Sequence, residues 1–435
     1  MHVWLPDFVC TGGSFEAGLA MIVGENGVIT GFSRAEEDLS IAHRMPGRAI
    51  LPGFVNVHSH TFQRVIRGRT ERRTGASRDT FWTWRQSMYH AANAISPEDL
   101  YRAARMAFLE MVRSGITAVG EFHYVHQDLE VARAILRAAK ELGLRITLLR
   151  TAYVRAGWKK DPDPGQARFL TPDVDRFLAD TDTLMAEGAG VGVAPHSVRA
   201  VPLDHLKKVA AYARARKIPL HMHVSEQPAE VEACVAEYGR RPVELLHDNG
   251  IVGDGFTAVH AIHITDEEVK MLGGSTVCAC PTSERNLGDG AVPADLLFEA
   301  GARICFGSDS NAQIDLMEDA RELEYHLRMK KLERAVLETS RLFESATESG
   351  ARSLGLPGGS LEMGRAADFV AVDLKDSSLA GATQDSLLAH VVYSMEKSAV
   401  RDVFVGGEPV VLEGRHHLEE EIVKEFEGVQ RRLWG

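Results

Sequence analysis

Three separated segments of the chain place metal-binding side chains at the ends of apolar runs. His58-Ser59-His60 directly follows LPGFVNV. In an extended strand, residues i and i+2 project to the same side, so both imidazoles can reach one ion. His221-Met222-His223 closes a second run, IPLHMHV, in which only one histidine need be a ligand, and Glu226 comes just after it. Ser308-Asp309-Ser310 closes a third, ARICFG. Three imidazoles and one carboxylate match the donor preference of Zn²⁺ and leave a position open for water. The chemistry on offer is hydrolysis, because such an ion lowers the pKa of bound water toward neutrality. Each segment alone has a plainer reading: a polar strand end for the histidine pair, a helix N-cap for Asp309, a solvated helix-start acid for Glu226. Delivered together to one rim, they define a site.

A scaffold must bring these distant strand ends together. Short apolar or β-branched stretches at 49–57, 116–122, 144–153, 190–195, 218–224, 256–263, 275–280 and 302–309 alternate with helical ones. PEDLYRAARMAFLEMVRSG, for example, repeats apolar residues at helical spacing and ends in Gly115, a C-cap. Eight such units predict a (β/α)₈ TIM-type barrel, whose active sites lie at the carboxyl ends of the strands. Strand patterns return at both ends of the chain: LAMIVGENGVITGFS, with a hairpin turn at Glu25-Asn26-Gly27, then SLEMGRAADFVAVDL and DVFVGGEPVVLEG before an amphipathic, charged helix. The expected architecture is α/β, with the N-terminal part of a small β-sandwich over 1–48 and a metal-dependent barrel over 49–360. The C-terminal part of the sandwich and a terminal helix follow over 361–435.

Composition narrows the function classes. Hydrophobic residues at 45% and charged ones at 25% suit a globular chain with a sizeable core. A net charge of -12 without clustered Lys and Arg argues against nucleic acid as a partner. No apolar run reaches the roughly 18 residues that span a membrane. The start MHVWLPDFVC has no basic stretch ahead of a sustained apolar one, and five scattered cysteines make no disulfide framework, so a cytoplasmic location is expected. Cys278 and Cys280 read as a buried strand, and NLGDG at 286–290 as a rim loop without a phosphate-loop context.

LPGFVNVHSH, HMHVSE, VHAIHITDEE, GSDS and SLEMGRAADFV resemble the amidohydrolase superfamily, in the deaminase branch that carries one metal. HSHTFQR, FWTWRQSMY, GEFHYVH, APHSVRAVP, GRRPVELL and CPTSERNLGDG are similar to the formimidoylglutamate deiminases of bacterial histidine degradation, and the similarity runs along nearly the whole chain. The resemblance implies His58, His60, His223 and Asp309 as ligands of one Zn²⁺ per chain, with Fe²⁺ or another divalent metal as the alternative. His223 is preferred to His221 because the family's ligand stands three residues before its catalytic glutamate, here Glu226. His221, the other histidine of that run, is read as structural. Binuclear relatives carry a carbamylated lysine at the end of the fourth strand; GVGVAPHS has none, which supports a single metal.

The implied reaction hydrolyses N-formimino-L-glutamate to N-formyl-L-glutamate and ammonia. Asp309 would accept the proton of the attacking water, Glu226 would carry a proton to the formimino nitrogen, and His260 would hydrogen-bond the attacking oxygen. His263 has no role in this scheme. A substrate with two carboxylates calls for fixed cations, and Arg85 and Arg199 are the candidates, since guanidinium pairs bidentately with carboxylate. The plainer reading of the Arg85 segment is an aromatic helix packed on the barrel. The resemblance assigns His196 and Arg199 to substrate carboxylate contact; Gln63 and Tyr124 complete the expected pocket, or else pack its rim.

Two departures stand out. The family usually follows the eighth-strand aspartate with Ser-His, where this chain has Ser310-Asn311, and has Thr-Glu-Ala where this chain has Ser283-Glu284-Arg285. Placed at the rim, Asn311 and Arg285 would bear on acyl-chain preference. The competing readings are a related mononuclear-zinc deaminase acting on a heterocycle such as guanine or cytosine, and a non-catalytic binding protein on an inherited barrel. A neutral heterocycle would leave both arginines without an anionic partner. The expected partners are a small dicarboxylate and a second copy of the chain in a homodimer, with no nucleic acid or membrane.

Overall fold

The chain enters through five strands, β1 (His2–Thr11), β2 (Ser14–Ala17), β3 (Ala20–Val23), β4 (Ile29–Ser33) and β5 (His43–Pro52). Eight more follow: β6 (Phe54–Ser59), β7 (Ile116–His123), β8 (Arg145–Ala152), β9 (Val191–Pro195), β10 (Leu220–Val224), β11 (Phe256–His260), β12 (Thr276–Ala279) and β13 (Arg303–Phe306). Three close the sequence: β14 (Phe369–Asp373), β15 (Val400–Val405) and β16 (Glu408–Val411). This computed structural model describes residues 1–72, 79–125, 128–160 and 163–435.

Strands β6 to β13 pair in chain order, each parallel to the next, with helices between them. Burial on both faces explains why they read as continuous apolar runs rather than alternating ones. The barrel closes just beyond the last strand. The Asp309 amide donates to the His58 carbonyl and the His60 amide to the Asp309 carbonyl, both at 2.9 Å. One turn below, the Ser308 amide donates to Asn56 Oδ1 at 3.0 Å. Gly307 permits this approach, since a Cβ there would lie 2.6 Å from the His58 Cβ. The barrel is thus sealed by the same residues that carry the donor atoms.

The remaining strands form one continuous mixed sheet in the order β16-β15-β14-β5-β1-β3-β4, with β2 on β1. Strands from both chain ends share a second core in which Met21, Ile29, Phe369 and Phe404 are buried together, so the expected sandwich is a single hydrogen-bonded sheet enclosing its own core. The stretch at 49–57 does not form one barrel strand. Its first half completes β5 and pairs with β14; its second half is β6. The crossing falls at Gly53, past the 48/49 boundary read from the sequence, where a Cβ would lie 2.2 Å from Thr117 Oγ1. The stretches at 275–280 and 302–309 hold β12 and β13 within a few residues, while the one at 256–263 ends as a strand at His260.

The terminal helix Glu419–Trp434 packs across the helix Pro97–Arg113 through Arg105 and Glu421 at 2.7 Å, and Trp434 Nε1 donates to the Val65 carbonyl at 3.1 Å. It thereby braces the turn Thr61–Ile66 that leaves His60. Among the described residues, no helix is long and apolar enough to cross a membrane.

Candidate active site

His58 and His60 leave the end of β6, His223 lies in β10, and Asp309 follows β13. Their donor atoms all lie within 4.8 Å of one another. His58 Nε2 is 3.1 Å from His60 Nε2 and 3.2 Å from His223 Nε2, and Asp309 Oδ1 is 3.4 Å and 3.3 Å from the first two. Nitrogen donors that each stand 2.0–2.1 Å from one zinc ion lie about 3 Å apart, so the spacing suits one shared ion. His60 Nδ1 donates to the Phe122 carbonyl at 2.8 Å and His223 Nδ1 to the His196 carbonyl at 3.0 Å. That fixes the tautomer in which each Nε2 lone pair faces the centre. Burial lowers the His58 pKa to about 3 and holds His223 well below the usual histidine value, which keeps both imidazoles neutral. Burial alone would raise the Asp309 carboxyl, yet its contacts with His58 and His60 hold it well below the usual range. The donor set fits a divalent metal.

Backbone strain is concentrated here. Ser225, His260 and Asp309 have φ of 52°, 72° and 44°, a region that costs non-glycine residues energy and is retained where the surroundings impose it. Glu226 Oε1 lies 3.8 Å from His260 Nε2. Burial raises the Glu226 pKa. His260 Nδ1 bonds Glu284 Oε1 at 3.2 Å, and Glu284 is in turn fixed by the Cys280 amide at 2.9 Å. Burial works against a charged His260, but Glu226 and Glu284 together raise its pKa well above normal, making it a double donor. His260, Cys280 and Glu284 are also close enough to share an ion, but the His260–Glu284 bond already accounts for two of the three groups.

A cavity opens over this centre, bordered by His60, His223, Glu226 and Asp309 below and by Gln63, Arg85, Tyr124, His196 and Arg199 above. Every expected substrate contact therefore lines one space. Gln63 Nε2 donates to the Tyr124 hydroxyl at 2.9 Å. Arg85 comes from the helix Phe81–Ala94, with its guanidinium 5.0 Å from the Tyr89 ring. Among the described residues neither Arg85 nor Arg199 forms an ion pair, whereas the half-buried Arg155 and Arg241 hold Glu237 and Glu268, each at 2.7 Å.

Several residues fall elsewhere. His221 Nε2 meets the Ser353 carbonyl at 3.2 Å, away from the centre, and His263 Nε2 meets the Asp289 carbonyl at 2.9 Å. The two departures do not reach the cavity, which corrects the expectation that they bear on acyl-chain preference. Asn311 is fully buried, donating to Ser59 Oγ at 3.1 Å and accepting from Ser308 Oγ at 2.7 Å, and so ties the closing seam. Arg285 faces outward to Glu322 at 2.5 Å. NLGDG contributes more than a rim loop: Leu287 lines the cavity, and buried Asp289 accepts from Gln227 Nε2 at 2.5 Å.

The sequence reading missed Glu284, Tyr89, Tyr153 and Phe169. Tyr153 ends the third barrel stretch, a position the barrel rule already marks, and Tyr89 shares a helix face with Arg85.

A barrel with three histidines and an aspartate clustered at its carboxyl-terminal rim, beside a buried acid–base pair, defines a metal-dependent hydrolase. The Amidohydrolase family model matches residues 49–410, and the chain belongs to this family, hydrolases of C–N bonds. It is 38% identical to the formimidoylglutamate deiminase of Pseudomonas aeruginosa over 90% of this chain and 91% of that one. The crystal structure of an amidohydrolase from Brucella melitensis superposes with a TM-score of 0.91 at 34% identity, covering 100% of both chains. An adenosine deaminase from Xanthomonas campestris, solved with bound zinc, shares the fold at a TM-score of 0.86 and 24% identity over 99% of this chain and 98% of that one.

Proposed function

We propose that the protein hydrolyses N-formimino-L-glutamate to N-formyl-L-glutamate and ammonia, using one zinc ion held by His58, His60, His223 and Asp309. The observation that carries the substrate class is the pair of cavity arginines, Arg85 and Arg199, without a carboxylate partner among the described residues. Unpaired guanidinium in a half-buried cavity is costly, and a ligand bearing two carboxylates offsets that cost. The similarity to the Pseudomonas aeruginosa deiminase points the same way.

When bound, the ion supplies water activated for attack on the formimino carbon. Asp309, held ionised by its histidine contacts, would accept a proton from the attacking water. Glu226, whose carboxylate lies 3.8 Å from His260, passes a proton to the terminal nitrogen. His260 donates a hydrogen bond to the oxygen as charge builds on it, with Glu284 fixing its ring. The terminal C–N bond breaks, ammonia leaves with both water protons added to its original hydrogen, and the carbon retains the water oxygen as a formyl group. Arg85, Arg199 and His196 hold the glutamate end while Gln63 and Tyr124 border the reacting group.

The test is a substrate panel with an ammonia assay. Release from N-formimino-L-glutamate, and not from guanine, cytosine or adenosine, is expected; turnover of a heterocycle alone overturns the reading.

A further inference from the structure

Three of the five residues proposed to contact substrate touch one side chain that had no assigned part. Tyr153 Oη receives Arg85 Nη2 at 3.3 Å and Arg199 Nη1 at 3.4 Å, and its ring stands edge-on to His196 with centroids 4.7 Å apart. A further donor, Gln166 Nε2, meets the same oxygen at 2.6 Å and also reaches the Tyr89 hydroxyl at 2.8 Å. A phenol oxygen has two lone pairs. Three nitrogen donors converging on it mark a place built for more negative charge than a neutral phenol carries. The setting agrees: burial alone would raise the Tyr153 pKa, yet Arg199 and Arg85 pull it below the usual tyrosine value. Two guanidinium groups sharing one oxygen would otherwise repel each other, and each would be free to turn toward other acceptors. Arg199 is also held from behind by the Ala156 carbonyl at 3.1 Å.

We propose that Tyr153 is a positioning residue that sets Arg85 and Arg199 for a dicarboxylate, its hydroxyl holding both guanidinium groups in place beside the site that the substrate carboxylates enter. This rests on the dicarboxylate reading above and adds the device that orders its cations. Gln166 is the brace of that device, fixed by accepting from the Asp163 amide at 2.9 Å. The alternative is that Tyr153 only fills space against Phe169 and His196. A phenylalanine fills the same space, so the hydroxyl can be tested alone.

The experiment compares the metal-loaded protein with Tyr153→Phe by two readouts, steady-state kinetics on N-formimino-L-glutamate and calorimetric binding of L-glutamate. Loss of a hydroxyl that orders two charged groups is expected to weaken L-glutamate binding about tenfold. KM should rise by a similar factor, with kcat falling less than KM rises and metal content unchanged. Should Tyr153→Phe fold poorly, Gln166→Met, which removes the brace, is expected to shift L-glutamate binding in the same direction by a smaller factor. Binding within twofold of the unsubstituted protein in whichever variant folds overturns the proposal, as does failure of the unsubstituted protein to bind L-glutamate. If the unsubstituted protein binds L-glutamate but does not turn over the formimino compound, the reaction assignment fails while the binding comparison still decides the part played by Tyr153.

Discussion

Glu226 and His260 face each other across 3.8 Å in a space largely closed to water, and their neighbours decide which of them carries the proton to be given away. Removing the Glu226 acid while keeping its shape isolates that role: Glu226→Gln is expected to lower kcat by about 10²- to 10⁴-fold with metal content unchanged. A drop in metal content instead would place Glu226 among the ligands. Arg199→Met removes a charge-assisted contact and is expected to raise KM for N-formimino-L-glutamate by about 10- to 100-fold at unchanged metal content. Arg285→Ala is the contrasting case. Its partner Glu322 lies outside the cavity, so kcat/KM should stay within about twofold. The metal donors were legible because each has a local signature, a residue type at a strand end. Glu284 and Tyr153 were not, since they act through His260 and the arginines, partners distant in sequence. Asn311 was misread because its place after a strand end does not reveal that its amide bonds Ser59, far away in sequence, as well as Ser308.

At the scale of elements, the closing seam between β6 and β13 is where fold and site coincide. A Cβ on Gly307 would meet the His58 Cβ at 2.6 Å and its carbonyl oxygen at 2.9 Å, atoms that cannot move without shifting the donor set. Gly307→Ala is therefore expected to cost about 1–3 kcal/mol of stability and to reduce bound metal, measured by thermal unfolding and metal analysis of the same preparation. Full metal content at unchanged stability would contradict the seam's place in the site. The eight barrel stretches were readable from length and alternation with helices. The division within 49–57 was not, because strands β5 and β6 are both largely apolar and periodicity cannot separate two such runs; only the steric demand at Gly53 marks the crossing.

The molecule as a whole joins both chain ends into one sheet and closes the site from above with side chains drawn from several barrel loops. Burying those groups makes stability depend on pH. Glu230, inside the barrel rim, has its pKa raised to about 7, first by burial and then by the Glu226 charge. The folded state thus favours the protonated acid: its contribution is complete below the unfolded value of 4.5 and is lost as pH rises through about 7. Glu230→Gln, which cannot ionise, should lose less stability than the unsubstituted protein between about pH 5 and about pH 8, by up to about 3 kcal/mol in denaturant titrations. Parallel pH profiles would show that Glu230 ionises freely in the fold. Two C–N bonds flank the formimino carbon, and the proposed reaction breaks the terminal one. Product analysis by proton NMR after incubating metal-loaded protein with N-formimino-L-glutamate tests it most directly. N-formyl-L-glutamate and ammonia in equal amounts, abolished by a chelator and restored by zinc, are the predicted result; formamide and L-glutamate, or no product at all, would contradict it.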